Sequence, residues 1–276
     1  MVLRNLGPAF VDGSGDRFGY EWSTYPELRP EHEAQFRGWT YHLQPDDWRG
    51  LTFLDVGCGM GRNSFWPMTY GAAGGLAIDI EERSLAAARR TLAGFPAVRV
   101  ENCSAYAIGR REEFDLVFSI GVVHHLERPE LALAGMVAAA KPGGRVLIWV
   151  YAAENNGWIV KFLDPMRRAL FSRLPIAITH HLSLYPTAAL WLALRLGFGR
   201  ITYFQLVRQF SFRHLRAIVF DQILPKIAHY WPRETVGRML RDQGLSDVRL
   251  AFVNEMSWSA IGTRPLPSRS CPIVVD

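Results

Sequence analysis

The stretch Leu51-Thr52-Phe53-Leu54-Asp55-Val56-Gly57-Cys58-Gly59-Met60-Gly61-Arg62-Asn63 limits what this chain can fold into more than any other. A mostly apolar run of β character reaches Asp55, and glycine then takes every second position. A strand ending this way must turn sharply, and its missing side chains let a ligand lie against the backbone. A dinucleotide loop of the Gly-x-Gly-x-x-Gly kind would put its third glycine at position 62, which is Arg62. The spacing is instead Asp-x-Gly-x-Gly-x-Gly.

Beyond the loop the chain repeats a strand-helix unit. Residues 62–70 read as a helix stopped by Gly71 and shortened or kinked by Pro67. Residues 75–79 read as a second strand ending in Asp79, about 24 residues past Asp55. A nucleoside-binding βαβ unit needs an acid there for the two ribose hydroxyls, and an N-cap for the next helix is its structural alternative. That helix, 81–93, has Glu81 and Glu82 in its first turn, Arg89 and Arg90 in its last and Gly94 as its stop. Strands at 97–101 and 114–120, a helix at 129–140, a tight turn Lys141-Pro142-Gly143-Gly144 and a strand at 145–151 complete the alternation. Such alternation predicts a parallel sheet with ligands at the carboxyl ends of its strands.

The flanks differ. Upstream lie an aromatic cluster, Phe18-Gly19-Tyr20-Glu21-Trp22, and a short helix at 29–36. Residues 154–231 are helical, aromatic and basic, punctuated by Pro165, Pro175, Pro186 and Pro225. Next come a helix at 233–242, closed by Gly244, and strands at 248–253 and 258–262, the strands as a terminal antiparallel pair. The tail after Pro265 is turn-rich. The expected organisation is an N-terminal arm (1–45), a core (46–153), a helical insertion (154–232) and a C-terminal part of the core (233–276).

Composition narrows the partners. The chain is 49% hydrophobic and 21% charged, with 31 Lys and Arg against 26 Asp and Glu. The basic residues are spread along it, which fits a solvated surface better than a nucleic-acid face. Cys58, Cys103 and Cys271 are odd in number and lack C-x-x-C spacing, so neither a disulfide framework nor a metal site is expected. No basic-then-apolar signal segment opens the sequence, and the most apolar run, 187–194, ends at Arg195, too short to span a bilayer. A cytoplasmic location is expected.

Taken together, the loop from Asp55 to Gly61, the acid Asp79, the segment Phe114-Asp115-Leu116-Val117-Phe118-Ser119-Ile120-Gly121-Val122-Val123-His124-His125 and Lys141-Pro142-Gly143-Gly144 resemble the core motifs of the class I S-adenosylmethionine (SAM)-dependent methyltransferases. The resemblance covers roughly residues 50–153, and the Phe-Gly-x-Glu-Trp segment extends it upstream. It implies an α/β, Rossmann-like, doubly wound fold with a seven-stranded, mainly parallel sheet whose last strand is antiparallel, and a helical lid inserted after strand five. The implied cofactor is SAM, with S-adenosylhomocysteine (SAH) as its product. The resemblance implies Gly57, Cys58 and Gly59 at the methionine portion, Asp79 and Ile80 at the ribose and adenine, and Asp55 and Arg62 elsewhere in the cofactor site. Ile120 would back the site, and Tyr20 would reach it from upstream. Ser104, beside Ala105, stands where many relatives carry an acid near the adenine amine. Base-methylating relatives usually carry Asn/Asp-Pro-Pro-aromatic after strand four. Here that place reads Ser119-Ile120-Gly121-Val122, which moves the acceptor towards small molecules or lipids and away from nucleic acid, and a small, apolar metabolite is the expected acceptor.

Methyl transfer is an in-line displacement, so the enzyme mainly orients the acceptor behind the methyl. A hydroxyl or carbon acceptor also calls for a base. His124 and His125 come after strand four, and His125 is the one expected to face the acceptor, with helix capping or a buried imidazole as the alternative. As a base it would impose loss of activity as pH falls through the imidazole pKa. Glu154, after strand five, is the second candidate; His180, His181, His229 and Tyr230 are weaker ones. The insertion is read as an acceptor pocket, an oligomer surface shared with the N-terminal arm, or a satellite core. An NAD-type oxidoreductase and a catalytically inactive SAM-fold scaffold stay as alternatives.

Overall fold

Among the described residues two α-helices precede the first strand: α1 (Gly15–Thr24), where the sequence showed only an aromatic cluster, and α2 (Pro30–Trp39). This computed structural model describes residues 15–25, 27–199 and 202–267. Cys271 and the part of the expected tail beyond Pro267 lie outside them. From residue 52 the alternation runs β1 (Thr52–Val56), α3 (Arg62–Thr69), β2 (Gly74–Asp79), α4 (Glu82–Thr91), β3 (Val98–Asn102), β4 (Phe114–Ile120), α5 (Pro129–Ala139) and β5 (Ala140–Tyr151). In β4 every residue but Asp115 is buried, as a strand covered on both faces requires.

The strand order is β3-β2-β1-β4-β5-β7-β6, with β6 (Ser246–Val253) and β7 (Ser257–Thr263) coming last in the chain. Neighbours among β1 to β5 pair in parallel, and β7 runs antiparallel to both β5 and β6. This is the doubly wound, seven-stranded sheet expected. Its two faces carry separate apolar layers. One includes Leu54, Val117, Leu133 and Leu240; the other includes Phe36, Trp48, Phe53 and Leu85. The turn expected at Lys141–Gly144 is instead part of an irregular β5. Phe114 pairs with Ala140 and Leu116 with Arg145, while the Gly143 N–H donates to the Arg264 carbonyl at 2.8 Å. The extra residues bulge, and the strand is stitched to the chain leaving β7.

Between β5 and α11 (Arg233–Asp242) lies the insertion: α6 (Asp164–Met166) between π-helical turns Ile159–Leu163 and Arg167–Phe171, then α7 (Ile176–Leu182), α8 (Leu184–Arg195), α9 (Thr202–Val207) and α10 (Phe212–Ile223). It is fastened to the N-terminal helix. The buried Arg17 guanidinium donates to the carbonyls of Phe171 at 2.8 Å and Ser172 at 3.2 Å. Tyr25 packs with Phe220, Ile223 and Leu224. Among the described residues no helix is long and apolar enough to cross a membrane.

Candidate active site

The glycine loop is built by its hydrogen bonds to the end of β2. The N–H groups of Gly57 and Cys58 both donate to the Ile78 carbonyl, at 2.8 and 2.9 Å. Gly57, Gly59 and Gly61 all have positive φ, at 79°, 54° and 80°. A side chain at Gly57 would meet Val122 Cγ2 at 2.3 Å, and one at Gly59 would meet the Trp22 indole nitrogen at 2.8 Å. Asp79 closes the other side. Its Oδ2 accepts from the Gly59 N–H at 2.9 Å and its Oδ1 from the Glu81 N–H at 3.0 Å.

Loop and acid open on a cavity of about 540 Å³ at the carboxyl ends of the strands. Gly57, Cys58, Gly59, Arg62, Asp79 and Ile80 line its floor; Ala105 and Ile120 also reach it. Three expected contacts fall elsewhere. Asp55 is fully buried beneath the loop, where Oδ2 accepts from Ser64 Oγ at 2.7 Å and burial pushes its carboxyl up to about 7. It props the start of α3 and does not line the cavity. Ser104 turns its Oγ back to accept from the Tyr106 N–H at 3.1 Å, leaving Cys103 and Ala105 on the wall. Tyr20 points at the insertion, with its hydroxyl 3.3 Å from His180 Nδ1.

Helix α1 explains the last displacement. On a helix Phe18, Glu21, Trp22 and Tyr25 share one face, and these line the cavity while Tyr20 turns away. The i, i+3, i+4, i+7 spacing that finds them was present in the sequence.

The two histidines divide. His125 lines the cavity, with Nδ1 2.7 Å from the Ile227 carbonyl. A carbonyl only accepts, so Nδ1 carries the proton and Nε2 is the free lone pair. His124 is fully buried behind it, its ring 4.0 Å from that of Tyr151. Burial pushes the His125 imidazole down to about 3. It is therefore neutral at ordinary pH, and the acid limb expected near the usual imidazole pKa does not arise from it. The consequence falls on stability. The unfolded chain takes up a proton as pH drops below about 6.5 and the folded His125 does not, so this residue's share of stability is present above that pH and is lost as pH falls towards 3. Between pH 7.5 and 5 the wild type should lose roughly 2 kcal/mol relative to His125→Asn. Urea unfolding at the two pH values checks this, and an unchanged gap refutes it.

Glu154 does not line the cavity. Its Oε1 accepts from the Arg233 N–H at 3.0 Å and its Oε2 from the Trp258 indole at 3.1 Å. It caps α11 and fastens it to β7, a structural role in place of the catalytic one expected. His229 is likewise engaged, 3.1 Å from the Leu126 carbonyl, whereas Tyr230 stacks on Tyr151 at the cavity wall.

Sequence reasoning missed a polar group on the opposite wall. The Tyr151 hydroxyl donates to Asp221 Oδ2 at 3.1 Å and accepts from Gln222 Nε2 at 2.9 Å. Nearby, Arg62 lies 5.4 Å from the Trp22 ring centre and 5.3 Å from that of Trp39. No motif marks Asp221, which reaches the site from α10.

The floor fits an adenosylmethionine. Each Asp79 oxygen has accepted one backbone bond and keeps a lone pair for a ribose hydroxyl. Ile80, 41% exposed, offers an apolar face beside Ala105 for a purine. The bare backbone at Gly57 and Gly59 leaves room for the chain beyond the ribose.

Comparison with known proteins agrees. A family model described as a methyltransferase domain matches residues 54–148. The ubiquinone biosynthesis O-methyltransferase of Aromatoleum aromaticum is 30% identical over 171 residues, which are 58% of this chain and 73% of that protein. The tRNA U34 carboxymethyltransferase of Pseudomonas paraeruginosa is 32% identical over 113 residues, 40% of this chain and 35% of that one. The chain spans about a third or less of the length of most curated relatives it matches. Magnesium protoporphyrin IX methyltransferase of Synechocystis, solved with bound SAH, superposes with a TM-score of 0.54 at 14% identity, covering 90% of this chain and 93% of that one, a likeness of fold. With sequence identity running along most of an O-methyltransferase, and with loop, acid and strand order in these places, the chain belongs to the class I SAM-dependent methyltransferases, whose cofactor is S-adenosylmethionine.

Proposed function

We propose that the protein transfers the methyl group of SAM to a small, largely apolar acceptor enclosed between the sheet and the insertion. One observation carries the reading. The cavity that begins at the glycine loop and Asp79 continues without a break to apolar side chains of the insertion, among them Leu163, Met166, Phe171, Leu190 and Ile218. Apolar walls with a few polar groups are what a small ligand needs to be held and oriented.

When bound, the cofactor supplies an electrophilic methyl on a sulfonium with a neutral thioether as leaving group. The chain's own task is positioning. Gly57, Cys58, Gly59 and Arg62 hold the methionine end, Asp79 accepts from the ribose, and Ile80 and Ala105 flank the adenine. The insertion acts as a lid that excludes water and selects the acceptor. His125, neutral and anchored through Nδ1, accepts a hydrogen bond at Nε2 and orients the acceptor; its low basicity suits that better than holding a proton.

Asp79→Ala should weaken SAM binding about 10- to 100-fold, the loss of charge-assisted bonds to two hydroxyls. Calorimetry checks it, and normal affinity would remove Asp79 from the cofactor site. Several relatives bear the name of a tRNA-modifying enzyme, which makes tRNA the competing acceptor. Methyl-labelled SAM, incubated with the protein and either total tRNA or a lipophilic cell extract, should label the extract. Label in tRNA alone would reverse the choice of acceptor.

A further inference from the structure

The acceptor end of the cavity holds two buried acids, one of them short of a hydrogen-bond donor. Glu21 is only 3% exposed and sits on the cavity wall, yet its Oε2 has no hydrogen-bond partner among the described residues. Asp221 faces the same space, held by the Tyr151 hydroxyl. The two carboxylates are close enough to repel each other. Arg62 acts on both, flanked by Trp22 and Trp39. Arg167 acts on Asp221 as well, more weakly, and shares Asp164 with Arg168. Arg62 is thus shared between the two acids, and Glu21 Oε2 is left without a donor in an enclosed, mostly apolar space, an arrangement that is costly without a partner.

Resting on the methyltransferase reading above, we infer that the acceptor carries a protonated amine, bound by Glu21 and Asp221 inside the cavity. An ammonium brings a positive charge and up to three donors, matching the unpartnered Glu21 oxygen and the remaining lone pairs of Asp221. Tyr151, Tyr203 and Tyr230 line the same wall and offer ring faces of the kind that attract cations. A hydroxyl ligand would bring one donor and no positive charge to set between the two acids, and a carboxylate ligand would add a third acid. Burial pushes Asp221 up to about 6 and Glu21 well above the usual carboxylate range, as expected for acids short of cations. The ammonium is an anchor, and the atom that receives the methyl is a separate matter.

The test uses the full chain saturated with SAH and three amine–alcohol pairs of equal carbon skeleton: 2-phenylethylamine, 4-phenylbutylamine and octylamine with their alcohols. Calorimetry at pH 7.5 should give at least one amine bound tenfold or more tightly than its alcohol. Glu21→Gln and Asp221→Asn, both isosteric, should each reduce that preference to about threefold or less while SAH affinity stays within about threefold of wild type. An amine preference absent from all three pairs overturns the inference, as does a preference that survives in both variants. A fall in SAH affinity in either variant also overturns it, because the carboxylates would then serve the methionine ammonium. Failure of the wild type to bind SAH is a different result and strikes the methyltransferase reading itself.

Discussion

Gly57→Ala raises the dissociation constant for SAM at least tenfold and destabilises the fold by about 2–5 kcal/mol. Two costs add. An alanine at φ 79° incurs about 1–2 kcal/mol of backbone strain. Its Cβ then lies 2.3 Å from Val122 Cγ2 and 2.9 Å from Cγ1. Valine is stiff about χ1 and cannot swing clear, so the overlap adds roughly 1–3 kcal/mol or moves the loop. Gly50→Ala is the control. It shares the positive φ, at 73°, but its Cβ would meet nothing within 4 Å, so it should lose only the strain cost and leave SAM affinity alone. Thermal unfolding and calorimetry on both variants, and on Gly57→Ala with Val122→Ala, measure the two parts. Unchanged SAM binding in Gly57→Ala would mean that the loop is not the cofactor cradle.

The sheet was legible because its strands are short apolar runs separated by turn residues, and because the loop and Asp79 end two of them. Composition and spacing act locally there, so β1, β2 and β4 fall within a residue or so of expectation. Helix α1 was hard to read despite the i, i+3, i+4, i+7 spacing of its cavity face. It contains two glycines, and one of them, Gly19, lets the Glu81 side chain pack against the helix, since a Cβ there would meet Glu81 Cγ at 2.3 Å. Its helical state depends on partners remote in sequence, such as the carbonyls that take Arg17. The same holds for the site. Residues at strand ends, such as Ile80 and Ile120, were found, because the architecture fixes where strand ends go. Glu154 sits at a strand end too, but the chain turns there towards α11 and takes the carboxylate with it. Asp221 and Gln222 come from an insertion with no repeating pattern, so only the assembled structure brings them to Tyr151.

Arg62→Ala carries the second large effect. Removing the guanidinium leaves Glu21 and Asp221 facing each other without their shared cation and strips Trp22 and Trp39 of a cation between them. Breaking an enclosed charge arrangement from one side costs about 3 kcal/mol, and the loss should depend on pH. In the wild type both acids have folded pKa values raised above their unfolded ones, so their share of stability is present at low pH and is lost as pH rises through the folded values, about 6 for Asp221. Without Arg62 both rise further. The deficit of the variant should therefore be larger at pH 8.5 than at pH 5.5, where Asp221 is mostly protonated. Denaturant midpoints at the two pH values decide this. A deficit independent of pH would mean that Arg62 acts through packing alone. SAM affinity should fall as well if Arg62 holds the methionine end as proposed above.

The place of β7 has a consequence in time. It lies between β5 and β6 and pairs Arg145 with Thr263 and Tyr151 with Ser257, partners separated by the whole insertion. As the chain emerges during synthesis, β1 to β5 can assemble early, since their crossovers are short. The outer edge of β5, with Val146, Ile148 and Val150 on it, then waits unpaired until the insertion and both last strands have been made. An apolar strand edge left open is a template for other chains. The slow and vulnerable stage of this protein's life is thus the interval before residues 257–263 arrive, and a chain cut short after the insertion would keep its glycine loop but not its solubility.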